Sequence, residues 1–213
     1  MTTSPIFTLV MTISDLLSYP VTNMTPEEIY AEFPHLETKN LVLRDLRPED
    51  VQAVFCIFSD DEVTRYYDLD TFQSMGQARD LIERFNSRFL NQVGIRWGIA
   101  RKDAPGTIIG TCGYNIWVQP NCRAVIGYDL ARAHWRQGVM TEALGAVLRF
   151  GFENMSLNRV EAAIFPANTS SHRLLKKLGF QQEGALREYE FLKGEFVDLV
   201  MYSLLRKEAG LDQ

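Results

Sequence analysis

Three short stretches of this sequence carry residues that could do chemistry. The first is "HWRQGVMTEALGAVLRFGF", residues 134–152. There Arg136, Gln137 and Gly138 lead straight into an apolar helical pattern. The first amides of a helix have no intrahelical partner and carry the positive end of its dipole. A strand that feeds such a terminus through a glycine can hold a phosphate, with Arg136 as a fixed cation and Thr141 as a hydroxyl one turn on. A glycine that merely packs at a strand-to-helix turn explains the same residues as well. The second stretch is "NTSSHRLLKKLGF", in which Asn168, Thr169, Ser170 and Ser171 are all competent helix caps. The third is "REYEFLKG", where Glu190 stands between apolar-rich segments as a strand-edge carboxylate, with Glu188 and Glu195 close by.

These residues need a scaffold, and the hydrophobic pattern supplies one. In "NMTPEEIYAEFP", Thr25 is an N-cap, Pro26 takes the first helical position, two glutamates fill the first turn and Pro34 stops the helix. "NLVLRDL" (40–46) alternates as a half-buried strand does. Val51, Val54, Phe55 and Phe58 recur at helical spacing, as do Ala78, Leu81, Ile82, Phe85 and Phe89. "IRWGIAR", "TIIGTCGYNIWV" and "RAVIGYDL" follow, separated by the turn-rich "DAPG" and by "QPN", and make an antiparallel meander. Behind the Gly138 turn, Leu144, Val147, Leu148, Gly151 and Phe152 anchor a helix. "RVEAAIF" is a strand, and a helix then ends at Gly179. The last two strands meet at Lys193-Gly194, a tight-turn pair. The final strand is apolar on both faces, which places it inside the sheet. The order β-α-α-β-β-β-α-β-α-β-β predicts an α/β (α+β) domain with a mixed sheet under helices.

Composition narrows the function. The chain has 213 residues, 46% hydrophobic and 23% charged, enough for one large domain with a packed core. A formal net charge of −5 argues against a general nucleic-acid grip and is compatible with cationic partners. Three cysteines without a C-x-x-C pair predict neither a disulfide framework nor a zinc cluster, so a reducing cytoplasm is the expected compartment. The three histidines are isolated, so no metal site is expected. "PIFTLVMTISDLLSYPV" lacks a basic lead, is interrupted by Asp15 and is too short to span a bilayer. It reads as an amphipathic extension, 1–38, ahead of a domain at 39–205 and a tail at 206–213. The extension is a candidate homodimer contact, or folds back on its own domain. Neither G-x-x-x-x-G-K-S/T nor G-x-G-x-x-G occurs, so a phosphate bound at Gly138 would sit in neither a P-loop nor a dinucleotide fold.

"IGYDLARAHWRQGVMTEAL" resembles the acyl-CoA-binding segment of the GNAT N-acetyltransferases, most closely the RimJ/RimL-like branch that acetylates N-terminal amines of ribosomal proteins. "LETKNLVLRDLRPEDV" resembles that branch's opening strand and helix. "PANTSSHRLLKKLGFQQEGALREYEFLKGEFVDLVMYSLL" resembles its closing third. The likeness runs from about residue 36 to 205 with its parts in order, and it implies the GNAT fold and acetyl-CoA as cofactor. It implies that Arg136, Gln137, Gly138, Val139, Met140 and Thr141 bind the coenzyme pyrophosphate. The pantetheine arm would lie in a gap beside Asp129 and Leu130, near Asn168. Two positions depart from the wider pattern Gln/Arg-x-x-Gly-x-Gly/Ala: Trp135 at its start and Met140 at its end. Tyr128 is expected to pack in the core.

The reaction so implied is attack of a neutral amine on a thioester. It needs a base for the amine proton, polarisation of the carbonyl and a proton for the leaving thiolate. The resemblance assigns Glu190 as the general base and Ser171 as the group that protonates the thiolate. "EVTRYYDLD" and "GYNIW" are aromatic and acidic, suited to an amine and its flanking chain; from them Tyr66, Tyr67, Tyr114 and Trp117 are expected to bind the acceptor, although core packing explains Trp117 nearly as well. Three activities fit: acetylation of a protein N-terminus, acetylation of a small amine (polyamine, amino acid or drug), or acyl-CoA binding without catalysis.

Overall fold

In the computed structural model, which describes residues 24–210, Thr25 caps helix α1 (Pro26–Ala31) through a reciprocal box. Its hydroxyl accepts from the Glu28 amide at 3.2 Å, and the Glu28 carboxylate accepts from the Thr25 amide at 2.7 Å. The sequence readings that fall on residues 1–23 and 211–213 lie outside the described residues. The strands are β1 (Leu36–Glu37), β2 (Leu41–Arg44), β3 (Ile95–Arg101), β4 (Ala104–Val118), β5 (Arg123–Leu130), β6 (Arg159–Ile164), β7 (Gln181–Leu192) and β8 (Glu195–Leu205). The remaining helices are α2 (Val51–Phe58), α3 (Asp61–Thr64), α4 (Met75–Leu90), α5 (Val139–Glu153) and α6 (Thr169–Lys177). The strands form one sheet in the order β1-β2-β3-β4-β5-β6-β8-β7. Every pairing is antiparallel except β5 with β6.

The order matches the pattern read from the sequence, with two short additions, β1 and α3. The β3–β4 turn differs. It closes at Lys102-Asp103, because Arg101 already pairs with Ala104, and the Arg101 guanidinium clasps the Asp103 carboxylate at 2.8 and 2.9 Å. Of "DAPG", only Asp103 therefore lies in the turn, and Ala104, Pro105 and Gly106 open β4. The Lys193-Gly194 turn is as expected: both residues have positive φ, 51° and 89°, as a type I′ hairpin requires. Strand β8 lies between β6 and β7, in the sheet interior.

Each face of the sheet has its own core. Ile95, Trp97 and Ile99 of β3 point to the face covered by α1 and α5, where they meet Ala143, Leu144, Val147 and Phe152. The indole of Trp97 donates to the Pro34 carbonyl at 2.6 Å, which ties the chain after α1 to this face. The opposite face carries α2 and α4, with Val54, Phe58, Leu81 and Phe85 packed on Ile108. Each such side chain contributes about 1.5–3 kcal/mol by leaving water. Helix α5 rides low on β4, because a Cβ at Gly151 would run into the Tyr114 hydroxyl. That close seat fixes the height at which the N-terminus of α5 meets the end of β5.

Candidate active site

Gly138 is the N-cap of α5, with φ +80° and ψ −6°, and Arg136 is also left-handed, with φ 60°. A Cβ built at Gly138 would meet nothing within 4 Å. The glycine is thus not demanded by packing; the left-handed turn asks for it. Two left-handed residues around a helix start direct successive amides into one concavity, a geometry suited to anions. From Arg136 to Thr141, no main-chain amide finds a hydrogen-bond partner among the described residues. Met140 does not obstruct this turn, since its side chain is buried in the core beside Val139. Trp135, the other departure from the family pattern, reaches back to β5: its indole donates to the Leu130 carbonyl at 2.7 Å. Glu142, one turn into α5, is held by Thr38 Oγ1 at 2.6 Å and by Asn40 through its amide at 2.7 Å and Nδ2 at 2.9 Å. Partial burial would raise the Glu142 pKa, but these donors hold it below the usual carboxylate range.

Beside the turn the sheet opens. Strands β5 and β6 pair only from Arg123 to Val125 and from Arg159 to Glu161, then diverge. The Ala131 amide donates to the Ile109 carbonyl at 2.8 Å, so by antiparallel alternation the main chain of Asp129 faces β4. Tyr128 and Leu130 face the gap. The Leu130 carbonyl is taken by Trp135, which leaves its amide there. The Asp129 carboxylate is committed inside the sheet, 2.6 Å from Arg96 Nη2 and 2.7 Å from Thr111 Oγ1. Burial pushes its pKa up against the pull of Arg96 and Thr111.

The gap leads into a cleft of about 230 Å³. Ser171, Asn168, Glu190, Tyr66, Tyr67 and Tyr128 all line it. Asn168 is the cap of α6: its Oδ1 accepts from the Ser171 amide at 3.1 Å. The Ser171 hydroxyl is therefore spared from capping, and its residue is only 9% exposed. Burial pushes the Tyr128 hydroxyl up to about 12, tempered by the neighbouring Ser171. That hydroxyl is buried without a hydrogen bond of normal geometry. On the far wall, β7 bulges between Leu186 and Glu190. Glu188 there is left-handed, with φ 48°, and its amide is held by the Asp198 carboxylate at 2.8 Å. The bulge bends the strand just before Glu190, as bulges beside functional sites do. The hairpin tip is pinned across the cleft mouth: Lys193 Nζ donates to the Thr64 carbonyl at 2.9 Å. Tyr66 bridges the same mouth, with its ring 5.8 Å from Phe165.

Residues 40–181 match the acetyltransferase (GNAT) domain family. The chain belongs to the GNAT acetyltransferase family. It is an N-acetyltransferase that uses acetyl-CoA, and its relatives include the RimJ/RimL ribosomal-protein branch. It is 42% identical over 174 residues, 82% of this chain and 98% of the relative, to the uncharacterized N-acetyltransferase YoaA of Bacillus subtilis strain 168. Over 98 residues, 46% of this chain and 50% of the relative, it is 32% identical to the ribosomal protein uS5-alanine N-acetyltransferase of Escherichia coli K12. Its fold matches that of RimL, a ribosomal L7/L12 α-N-protein acetyltransferase in complex with coenzyme A. There the TM-score is 0.72 at 19% identity, over 81% of this chain and 98% of that one.

Two acceptor residues expected from the sequence are core residues of this acetyltransferase. Tyr114 is 0% exposed and donates to the Val147 carbonyl at 2.8 Å. Trp117 is 8% exposed and packs against Tyr30, ring to ring at 5.8 Å. The cause is an irregularity in β4 between Tyr114 and Ile116, which puts residues of opposite parity on one face. The same irregularity leaves Asn115 in the cleft. Asn115, Arg84 and Arg88 were missed by the sequence reading. The one signal available was the i, i+4 spacing of the two arginines on α4, a spacing that ordinary solvated helix faces share.

Proposed function

We propose that this acetyltransferase acetylates the N-terminal amine of a protein, such as a ribosomal protein, with Glu190 as general base and Ser171 as the acid. The observation that carries this reading is the convergence of Glu190 from β7 and Ser171 from α6 on one cleft at the mouth of the β5–β6 gap. Acetyl-CoA supplies the acetyl group as an activated thioester. The free amides from Arg136 to Thr141, with the Arg136 side chain, would hold its pyrophosphate. The Leu130 amide and the main chain of Tyr128 would pair with its pantetheine arm beside Asn168. Glu190 would draw the proton from the incoming amine, directly or through one water, and Ser171 would return one to the departing sulfur. Tyr66 and Tyr67 would flank the acceptor chain.

Two physical points favour an α-amine over an alkyl amine. An α-amino group, with a pKa of about 7.7–8.0, is roughly a third neutral at pH 7.5, whereas an amine near 10.4 is about a thousandth neutral. An exposed carboxylate base therefore has far less to do on a protein N-terminus. The hairpin beside Glu190 also displays Tyr189, Phe191 and Phe196 at 55, 63 and 66% exposure, a surface suited to a polypeptide. A screen of peptides beginning with Ala, Ser or Met against polyamines tests the reading. Transfer to the peptide α-amines is expected; transfer confined to polyamines would overturn it. Coenzyme binding with no transfer to any amine would point to a non-catalytic acyl-CoA module.

A further inference from the structure

The walls of the cleft differ in charge. Glu190, Ser171 and Asn168 lie on the side of β7 and α6, whereas Arg84 and Arg88, one helical turn apart on α4, line the opposite side. With Arg96 they crowd around the Phe85 ring, their guanidinium carbons 6.0, 5.6 and 4.7 Å from its centroid. Only Arg96 has a matching carboxylate, Asp129 at 2.6 Å. Arg88 Nη1 is held at 2.8 Å by Asn115 Oδ1, a neutral oxygen that also accepts from Arg96 Nη1 at 3.1 Å. Asp68 lines the same cleft, yet among the described residues neither Arg84 nor Arg88 forms an ion pair. This wall thus holds two positive charges with no carboxylate in direct contact, Asp68 attracting Arg88 only from a distance. Burial and the neighbouring Arg96 and Arg84 lower the Arg88 pKa, which marks the same crowding.

We propose that the acceptor of this acetyltransferase carries a carboxylate close to its reacting amine, and that Arg84 and Arg88 bind it while the amine meets Glu190. The inference rests on the acetyl-transfer reading above and names its substrate class. A guanidinium fork suits a carboxylate, and the charge-assisted bond is among the stronger polar contacts. A polyamine would instead bring further positive charge to the α4 wall. The carboxylate has two possible sources: an acidic residue just after the protein N-terminus, or the α-carboxylate of a free amino acid.

The test compares kcat/KM at saturating acetyl-CoA for three acceptors: peptides beginning Ala-Asp or Ala-Glu, their Ala-Asn and Ala-Gln isosteres, and free alanine. The acidic peptides should exceed their isosteres by about tenfold to a hundredfold, the range for a hydrogen bond to a charged group, and less at high salt. Arg88→Gln should lower that ratio. Because Arg88 also holds Asn115, the exposed Arg84 gives the safer variant, and Arg84→Glu should bring the ratio down towards one or below it. Equal rates for acidic and neutral peptides, or a ratio that both variants leave unchanged, would overturn the proposal while acetyl transfer to N-termini stands. A preference for free alanine over every peptide would keep the carboxylate site and overturn the protein acceptor. An enzyme that binds acetyl-CoA yet acetylates none of the three would overturn both.

Discussion

Replacing Gly138 separates the cost of a turn from the loss of a binding site. A methyl there meets nothing within 4 Å, so Gly138→Ala has no packing penalty. What remains is the left-handed backbone at φ +80°, worth about 1–2 kcal/mol for a residue with a Cβ. At about 2–4 °C per kcal/mol for a chain of this size, the free enzyme should melt about 2–8 °C lower. Gly138→Glu adds a carboxylate among the free amides. At a coenzyme concentration 100 times Kd, wild type should gain about 2.7 kcal/mol of stability. If the carboxylate weakens binding a hundredfold, the same concentration gives RT ln 2, about 0.4 kcal/mol, a shift of about 1 °C. The assay is thermal unfolding with and without acetyl-CoA. Gly151→Ala is the control: its Cβ would collide with the Tyr114 hydroxyl, so it should lower the melting point by overpacking and still show the coenzyme shift. A full coenzyme shift in Gly138→Glu would refute the assignment of the pyrophosphate to this turn.

Other residues give separable outcomes. Ser171→Ala should lower kcat by about tenfold or more with little loss of stability, because Asn168 supplies the cap; Asn168→Ala should cost about 1 kcal/mol in a denaturant melt. Unchanged kcat in Ser171→Ala would remove it as the acid. Tyr114→Phe should cost about 1 kcal/mol through the lost bond to Val147 and leave kcat/KM at the wild-type level; a fall in activity per folded molecule would return Tyr114 to the site. Glu142 has a folded pKa below its unfolded value of about 4.3. Its carboxylate therefore adds stability above that pH and loses the contribution as pH falls through the folded value. Urea melts of wild type and Glu142→Gln should differ at pH 7 and converge in acid; a gap that does not depend on pH would contradict this.

The sequence made some parts of the fold and site legible because the cause is local. Lys193-Gly194 must be a turn because both positions need positive φ, and the start of α5 follows from a glycine ahead of an apolar helical stripe. Four adjacent side chains could cap α6, and in the structure Asn168 does so through its Oδ1. The acceptor residues misled for a different reason. Period-2 alternation fails where β4 loses its register, so "GYNIW" sends Tyr114 and Trp117 into the core and offers Asn115 instead. The cationic wall was hidden because two arginines one turn apart on a helix carry no mark of a binding site, and only packing around Phe85 sets them beside Arg96 of β3. The gap between β5 and β6 was expected from the family resemblance, whereas the use of the Leu130 carbonyl by Trp135 was visible only in three dimensions.

The central proposal is that Glu190 acts as the base in the cleft at the mouth of the β5–β6 gap. Acetylation of an Ala- or Ser-initiated peptide by wild type and by Glu190→Gln, measured side by side at pH 7.5, tests this directly. Wild type should place one acetyl group on the peptide α-amine. The variant should show the same melting shift with acetyl-CoA and a kcat lower by about a hundredfold or more, the typical effect of losing a general base. Wild-type turnover in Glu190→Gln would contradict it.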